Sequence, residues 1–230
     1  MKNSYNYFEV FWERVEITKE ESEKEGKVND LVEKLKKGEI NSKDALKELG
    51  KRGLLEPETW EIIPWMAYIV LWLLPIVSRH LKFDFLAFFA QLPSFIFPAI
   101  VIYISVAIGV LGILIGIWVS RMHSKMGGLN HDETVILLKE GPYGVMRHPA
   151  TLYMILPILL PIILSTYIPF TPLAVAAIIT MIVYVYYSCL LEEKKLDIPK
   201  WGNEYLQYMK EVPRFNFILG IWRRSRRERE

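Results

Sequence analysis

The chain contains 230 residues, of which 52% are hydrophobic and 23% charged, and its formal net charge is +2. This balance averages a mildly acidic N-terminal segment with a basic C-terminal tail, and we expect no nucleic-acid partner. The single cysteine, Cys189, excludes internal disulfides and cysteine-based metal sites. Because no sequence neighbour would activate its thiol, we assign Cys189 to helix packing.

Residues 1–60 form a charged extension that predicts a small helical hairpin. Apolar residues recur at helical spacing on both sides of Gly38, at positions 31, 32 and 35 and again at 45, 46 and 49. Asn41 and Asp44 predict a cap at the start of the second helix, and the glycines at 50 and 53 can end it. The extension is either a solvated amphipathic appendage or a regulatory or docking module, and it shows no catalytic pattern.

Residues 61–220 form the membrane domain. A helix needs about 20 apolar residues to cross the hydrocarbon core of a bilayer. Three stretches contain no Asp, Glu, Lys, Arg or His, at positions 62–78, 85–120 and 149–191. A signal peptide does not explain these stretches, because the first begins some 60 residues into the chain and follows a charged region. We therefore expect them to be permanent membrane spans.

Prolines divide the two longer apolar stretches. Pro93 and Pro98 split the second into a short helix and a full one, and Pro169 and Pro172 make the third a hairpin of two helices. We therefore predict an all-α integral membrane protein with about five transmembrane helices, with four as the alternative. The third stretch would form a C-terminal helical hairpin.

Lysine and arginine, which favour the cytoplasmic side of a membrane, predict the orientation. They crowd residues 121–147 and the chain after residue 191, including the basic tail 221–230, whereas the turn 165–172 has none. We expect a multi-pass cell-membrane protein with its active site facing the cytoplasm. Five helices would place the N-terminal extension outside the cell, and four would place it inside.

Three glycines, Gly109, Gly112 and Gly116, lie on nearly one side of a predicted membrane helix. Small residues at this spacing let another helix approach closely, so we predict a packing surface. They lie inside an apolar span with no preceding strand, which argues against a glycine-rich nucleotide loop. We find no soluble dinucleotide-binding fold.

The run GPYGVMRHP at positions 141–149 carries the candidate chemistry, because ionisable groups at the end of a membrane span are rarely kept without a use. Gly141 and Pro142 predict a turn after the apolar strip 135–138, and Pro149 is suited to begin a helix. This would present Tyr143, Arg147 and His148 at the mouth of a helix.

The other end of the C-terminal hairpin offers groups that could face this mouth. Tyr184, Tyr187 and Leu191 share one helix face, and Glu192 emerges at the interface. Tyr153 would project just inside the membrane below His148. A cation could bind between these two ends.

Plainer interpretations exist for each residue, since Arg and His at span ends contact lipid headgroups and Tyr is common in interfacial belts. Adjacent acids gain nothing beside an anionic leaflet, so we expect Glu192 or Glu193 to face an internal partner. His123, His131 and His148 could supply metal ligands with these acids. No pair has H-x-x-x-H spacing, and we predict no metal.

The sequence resembles the isoprenylcysteine carboxyl methyltransferase family. The resemblance covers about residues 101–217 and leaves the extension 1–60 outside. Its motifs are GPYGVMRHP at 141–149 with Tyr153, EE-x-x-L at 192–196, WGNEY-x-x-Y at 201–208 and VP at 212–213. The wider superfamily includes phospholipid N-methyltransferases and, more distantly, sterol reductases with a similar C-terminal pattern.

The resemblance implies a membrane enzyme that binds S-adenosylmethionine in a pocket formed by the cytoplasmic loops and the last hairpin, with a lipid or prenylated substrate entering from the bilayer. Arg147, His148 and Glu192 would be catalytic. The cofactor would contact Leu137, Leu138, Tyr143, His148, Pro149, Tyr153, Glu192, Glu193, Tyr205 and Tyr208, the last two closing a lid.

An acceptor carboxylate would need only positioning, whereas an amine acceptor would give His148 or a glutamate a role as base. Eukaryotic members of the family place an arginine about one turn before the glutamate pair, where this chain has Tyr187, Ser188 and Cys189. A prenylcysteine acceptor is therefore less well supported than methyl transfer itself. The alternatives are phospholipid or amine N-methylation, an NADPH-dependent membrane reductase and a non-catalytic scaffold. The sequence leaves the acceptor and the oligomeric state open.

Overall fold

The computed structural model describes residues 27–54, 62–81, 84–125, 134–227 and 229, and it is helical throughout these ranges apart from loops and one isolated bridge. Four shorter helical turns accompany the α-helices: 3-10 turns at Asp84–Leu86, Gly141–Gly144 and Pro149–Met154, and a π turn at Glu193–Asp197. The α-helices are α1 (Asn29–Lys36), α2 (Ser42–Lys51), α3 (Ile62–Leu81), α4 (Ala87–Ala90), α5 (Ala99–Lys125), α6 (Ile155–Ile163), α7 (Pro172–Glu192), α8 (Ile198–Trp201), α9 (Asn203–Glu211) and α10 (Phe217–Arg227).

Among the described residues, three helical segments are long and apolar enough to cross a membrane: Ile62–Leu81, Ala99–His123 and Pro172–Trp201. Most of their side chains face outward rather than into a protein core, as expected where lipid is the solvent. These segments suggest a membrane protein, as predicted, but the described residues contain fewer full-length spans than the five we predicted. The proline-rich region before α5 forms only the four-residue α4, and the first arm of the C-terminal hairpin, Pro149–Ile163, is shorter than a standard span.

The glycine surface of α5 packs against this first arm, as predicted. A Cβ atom added at Gly112 would lie 2.3 Å from the carbonyl oxygen of Leu152, and one at Gly116 would lie 3.0 Å from Cβ of Tyr153. Because a larger side chain would collide with the backbone of the arm, these glycines set how closely the two segments approach. The contact fixes Tyr153, a predicted site residue, against α5.

A second apolar cluster joins α3 to the hairpin. Tyr68 and Trp72 of α3 pack with Met154, Ala174, Ala177 and Met181, and the Tyr68 hydroxyl donates a hydrogen bond to the carbonyl of Pro157. At one end of this bundle, Phe95 bridges Phe170 in the turn between α6 and α7. The loop before α5 and the hairpin turn therefore share one end, and the candidate site lies at the other.

The N-terminal hairpin forms as predicted. The Asn41 side chain accepts a hydrogen bond from the Asp44 backbone N–H, at 2.9 Å, and α2 ends before Gly53, whose φ of +67° suits glycine. The hairpin does not stand apart from the membrane domain. Its buried side chains share one core with the C-terminal segment, formed by Leu31, Ala45, Leu46, Leu49 and Leu54 with Trp201, Tyr205, Leu206, Tyr208, Met209 and Val212. The hairpin of α1 and α2 thus lies at the same end of the bundle as the candidate site.

Candidate functional site

A cavity of about 480 Å³ lies where the segment 134–154 meets the end of α7 and the helices α8 and α9. Nine of the residues predicted from sequence line it: Leu137, Leu138, Tyr143, Arg147, His148, Tyr153, Glu192, Tyr205 and Tyr208. Pro149 and Glu193 were predicted to contact a cofactor, but both lie behind the wall and are buried. His131 lies outside the described residues.

The 3-10 turn Gly141–Gly144 positions Tyr143. Gly141 adopts φ +58°, a conformation that favours glycine, and the turn directs the Tyr143 ring toward α5. There the ring stacks on His123, with 5.4 Å between ring centroids and 2.5 Å between Nε2 and the phenol oxygen. The Tyr208 hydroxyl donates to the Tyr143 carbonyl at 2.7 Å. Tyr143 is therefore held from both sides of the cavity.

Arg147 is a buried cation that ties the cavity wall together. Its Nε donates to Glu193 Oε1 at 2.9 Å, and its Nη1 donates to the carbonyl oxygens of Met209 and Val212 at 2.8 and 2.9 Å. Those carbonyls end α9, where N–H partners are lacking. These contacts hold the end of α9 in place. Arg147 also lines the cavity, and the catalytic role expected for it from sequence stays a prediction.

Glu193 is the buried acid at the centre of this network. Its Oε1 also lies 2.9 Å from His148 Nε2, and its Oε2 accepts hydrogen bonds from Arg214, at 3.0 Å from Nε and 2.5 Å from Nη2. A buried carboxylate is stable where charged donors occupy both oxygens. One of the two adjacent acids thus has internal partners, as expected, and it is Glu193.

Glu192 and His148 face the cavity as a pair. Glu192 Oε2 lies 3.3 Å from His148 Nδ1, and the Glu192 side chain is 22% exposed. Burial opposes the charged imidazolium, but Cys189 and Glu192 outweigh it and raise the pKa of His148 well above its ordinary value. A protonated His148 donates from both ring nitrogens, one toward each glutamate.

Cys189 contributes to the site, which the sequence analysis did not anticipate. Its sulfur, a His148 nitrogen and a Glu192 oxygen all lie within 4.8 Å of one another. Such a set could hold a divalent cation of the zinc type. The same groups can also satisfy each other by hydrogen bonds to His148. The signal that could have revealed the thiol is its position one helical turn before Glu192.

Asp197 is a second cavity-lining acid that the sequence analysis missed. It ends the π turn Glu193–Asp197. Pro199 follows shortly after and has no N–H to donate to the carbonyl of residue 195, so the regular α-helical bonding pattern cannot continue through this segment. The changed register directs Asp197 into the wall, and Pro199 was the available sequence signal.

Aromatic side chains of α8 and α9 close the cavity. The Trp201 indole donates to the Val135 carbonyl at 3.0 Å and stacks on Tyr205, with 5.8 Å between ring centroids. Tyr205 contacts Tyr208 at the same centroid distance. Burial raises the pKa of both tyrosines above the ordinary value, so both are neutral phenols at physiological pH. The result is a wall of aromatic faces with a few polar groups.

No protein-family model, curated protein or solved structure matches the chain. The resemblance stated above therefore depends on the motif residues and their spacing.

Proposed function

We propose that the protein is an S-adenosylmethionine-dependent membrane methyltransferase acting on an isoprenoid or other lipid-embedded acceptor, similar to the isoprenylcysteine carboxyl methyltransferases. The observation that carries this proposal is the convergence of seven motif residues, from Tyr143 to Tyr208, together with Leu137 and Leu138 on one cavity at the end of an apolar helical bundle. Tyr205 and Tyr208 also pack in the core shared with the hairpin, but packing gives no reason for Tyr143, His148 and Glu192 to line the same space.

The chemistry of the wall suits the proposed cofactor. A volume of about 480 Å³ is within the range of roughly 300–1,000 Å³ typical of small-molecule sites. S-adenosylmethionine carries a sulfonium and an ammonium, for which aromatic faces and carboxylates are favourable partners. Tyr143, Tyr205 and Tyr208 supply the faces, and Glu192 supplies a carboxylate. Leu137 and Leu138 supply apolar contact and backbone groups.

The bound cofactor would supply an activated methyl group, so the protein mainly has to align donor and acceptor and exclude water. The Arg147–Glu193–Arg214 network fixes the wall. The aromatic lid excludes water. His148, protonated and placed between two glutamates, orients Glu192 rather than accepting a proton. For an amine acceptor, the base role therefore falls to Glu192.

The acceptor would enter from the bilayer between α3 and α7. Residues from both helices line the cavity, including Ile63 and Trp65 of α3 and Tyr184 and Tyr187 of α7. Tyr187 is 56% exposed on the outer surface. An opening between α3 and α7 would admit the tail of a lipid acceptor from the bilayer, and the headgroup of that lipid would lie near Glu192.

A four-crossing topology fits this proposal best. Six 3-10 residues and nine α-helical residues give the arm Pro149–Ile163 a length of roughly 25 Å, close to the hydrocarbon thickness of about 30 Å. An even number of crossings places the N-terminal hairpin and the C-terminal segment on one side, as their shared core requires. The basic segments favour the cytoplasm for that side.

Transfer of a labelled methyl group tests the proposal. Protein in nanodiscs would be incubated with methyl-labelled S-adenosylmethionine and, separately, prenylated cysteines, isoprenoid acids and phosphatidylethanolamine. We expect one lipid acceptor class to be labelled, with Glu192→Gln at least tenfold slower and Glu204→Gln, an exposed acid on the same side, unchanged. Labelling of phosphatidylethanolamine alone would favour the N-methyltransferase alternative. No labelling together with saturable NADPH binding would reject methyl transfer.

A further inference from the structure

Asp197 is a buried carboxylate in the cavity wall that forms no ion pair within 4.0 Å with any described residue. Only 6% of it is exposed, and its side chain lines the cavity. The Tyr205 phenol hydrogen-bonds to it, and the buried Lys200 attracts it from farther away. Lys200 Nζ itself lies over the Trp201 ring, 5.4 Å from its centroid.

The nearby buried acid Glu193 differs from Asp197 because charged partners lie close to both of its carboxylate oxygens. Two arginines donate to its oxygens, and His148 lies at hydrogen-bond distance. A carboxylate removed from water needs a cation or several donors to offset the loss of hydration. Among the described residues, Asp197 has one side-chain hydrogen-bond donor, the Tyr205 phenol. The protein therefore neutralises Glu193 itself and leaves the charge of Asp197 without a close counterpart.

The π turn explains why this acid reaches the cavity. Residues five apart, such as Glu192 and Asp197, point about 140° apart on an α-helix, which turns about 100° per residue. The π turn at Glu193–Asp197 widens that turn, and both acids line the same cavity. Single π turns inside helices recur at functional sites.

We propose that Asp197 binds an organic ammonium group of a ligand in this cavity, as a carboxylate distinct from Glu192. An ammonium offers a positive charge and N–H donors, which together supply what the wall lacks at Asp197. The identity of the ligand rests on the proposed function. The ammonium belongs either to the amino-acid end of S-adenosylmethionine or to an amine acceptor.

The stability of the ligand-free protein tests the proposal without reference to activity. Asp197→Asn keeps the shape of the side chain and, measured at an alkaline pH where the carboxyl is ionised, removes a charge that has no close counterpart before the ligand binds. We expect the unfolding temperature in detergent to rise by about 2–4 °C. The control Glu204→Gln changes an exposed acid paired with Lys139 and should have little effect. A fall in unfolding temperature for Asp197→Asn would show a structural role and overturn the proposal.

Calorimetry with two matched ligands identifies the source of the ammonium. S-adenosylhomocysteine and methylthioadenosine share the adenosine and a neutral sulfur, but only the first carries an ammonium. A loss of at least tenfold in affinity of Asp197→Asn for the first ligand alone would assign the cofactor ammonium. Unchanged affinity for both, with a raised KM for an amine lipid, would assign the acceptor. If Asp197→Asn matched Glu204→Gln in both affinities and in the KM, the proposal would be overturned.

Failure of the wild type to bind either nucleoside would reject the proposed function but not the ammonium site. Ethylammonium chloride then serves as the probe. We expect it to raise the unfolding temperature of the wild type more than sodium chloride at equal ionic strength, with no such difference for Asp197→Asn. Equal effects of the two salts on the wild type would overturn the inference.

Discussion

Glu193 accepts a hydrogen bond from Arg147 at 2.9 Å, joining two residues that are 46 positions apart in the sequence. Arg147 belongs to the turn before the hairpin, and Glu193 begins the π turn that follows α7. The side chains of both are almost completely buried. Because Arg147 also holds the carbonyls that end α9, this ion pair connects the turn, the hairpin and the lid of the cavity.

The two adjacent glutamates should therefore differ in what they contribute. Glu193→Gln leaves Arg147 and Arg214 without their shared counter-charge, and loss of one partner of a buried pair costs about 3–5 kcal/mol. Glu192→Gln should change stability by less than about 1 kcal/mol, because its side chain is partly exposed. It should weaken methyl-donor binding at least tenfold. Thermal unfolding and calorimetry of both variants check this, and the reverse pattern would contradict the assigned roles.

The N-terminal hairpin should support the lid. Leu49 is fully buried in the core that contains Tyr205 and Tyr208, so Leu49→Ala should cost about 2–5 kcal/mol. It should also weaken methyl-donor affinity, because both tyrosines line the cavity. Lys47→Ala on the exposed face of the same helix is the matched control. If the free energy of unfolding and the methyl-donor affinity of Leu49→Ala equalled those of Lys47→Ala, the hairpin would be an independent appendage.

His148 should make stability depend on pH on the alkaline side. Its pKa is raised in the folded protein, so its contribution is fully present below the ordinary value of 6.5. That contribution is lost as the pH rises through the folded-state pKa. The unfolding temperature of the wild type should therefore fall from neutral pH upward more steeply than that of His148→Asn. Parallel profiles for the two proteins would show that His148 is neutral in the fold.

Chelation should leave cofactor binding unchanged. His148, Cys189 and Glu192 could together hold a cation, but methyl transfer requires none. After dialysis against EDTA, we expect S-adenosylmethionine affinity to change less than twofold, with no zinc retained by elemental analysis. Loss of binding that zinc restores would instead assign these three residues to a metal centre.

Gly220 should be intolerant of any side chain. A Cβ atom there would lie 1.7 Å from the carbonyl oxygen of Val145, where α10 packs against the turn that carries Tyr143. Gly220→Ala should therefore destabilise the protein by about 1–3 kcal/mol, although alanine favours helices. Ser225→Ala, on the same helix, is the control. A stabilising effect of Gly220→Ala in thermal unfolding would mean that α10 does not pack on the turn.

The membrane helices were predictable from the sequence because the absence of charge over long stretches has few other physical explanations. The cap at Asn41 and the glycine surface of α5 were also predictable, since each depends on local geometry or on residues one helical turn apart. The number of full-length membrane spans was not predictable from the sequence. The arm Pro149–Ile163 begins as a 3-10 turn, and sequence periodicity does not distinguish that from an α-helix.

The motifs indicated which residues would meet at the site but not how each would be used. Arg147 in the cavity wall pairs with Glu193 behind it, and that pairing depends on tertiary distances. Asp197 enters the cavity through a π turn, which shifts the register that a helical wheel assumes. The docking of the N-terminal hairpin on the lid also lies beyond sequence periodicity, because a helix with one apolar face does not reveal what covers it.

The most direct test of the proposed function is calorimetric titration of S-adenosylmethionine and, separately, NADPH into the purified protein in nanodiscs. We expect saturable binding of S-adenosylmethionine at one site per chain, weakened at least tenfold in Glu192→Gln, a loss of about 1.4 kcal/mol. NADPH should give no signal. Saturable NADPH binding by folded protein that does not bind S-adenosylmethionine would contradict the proposed function.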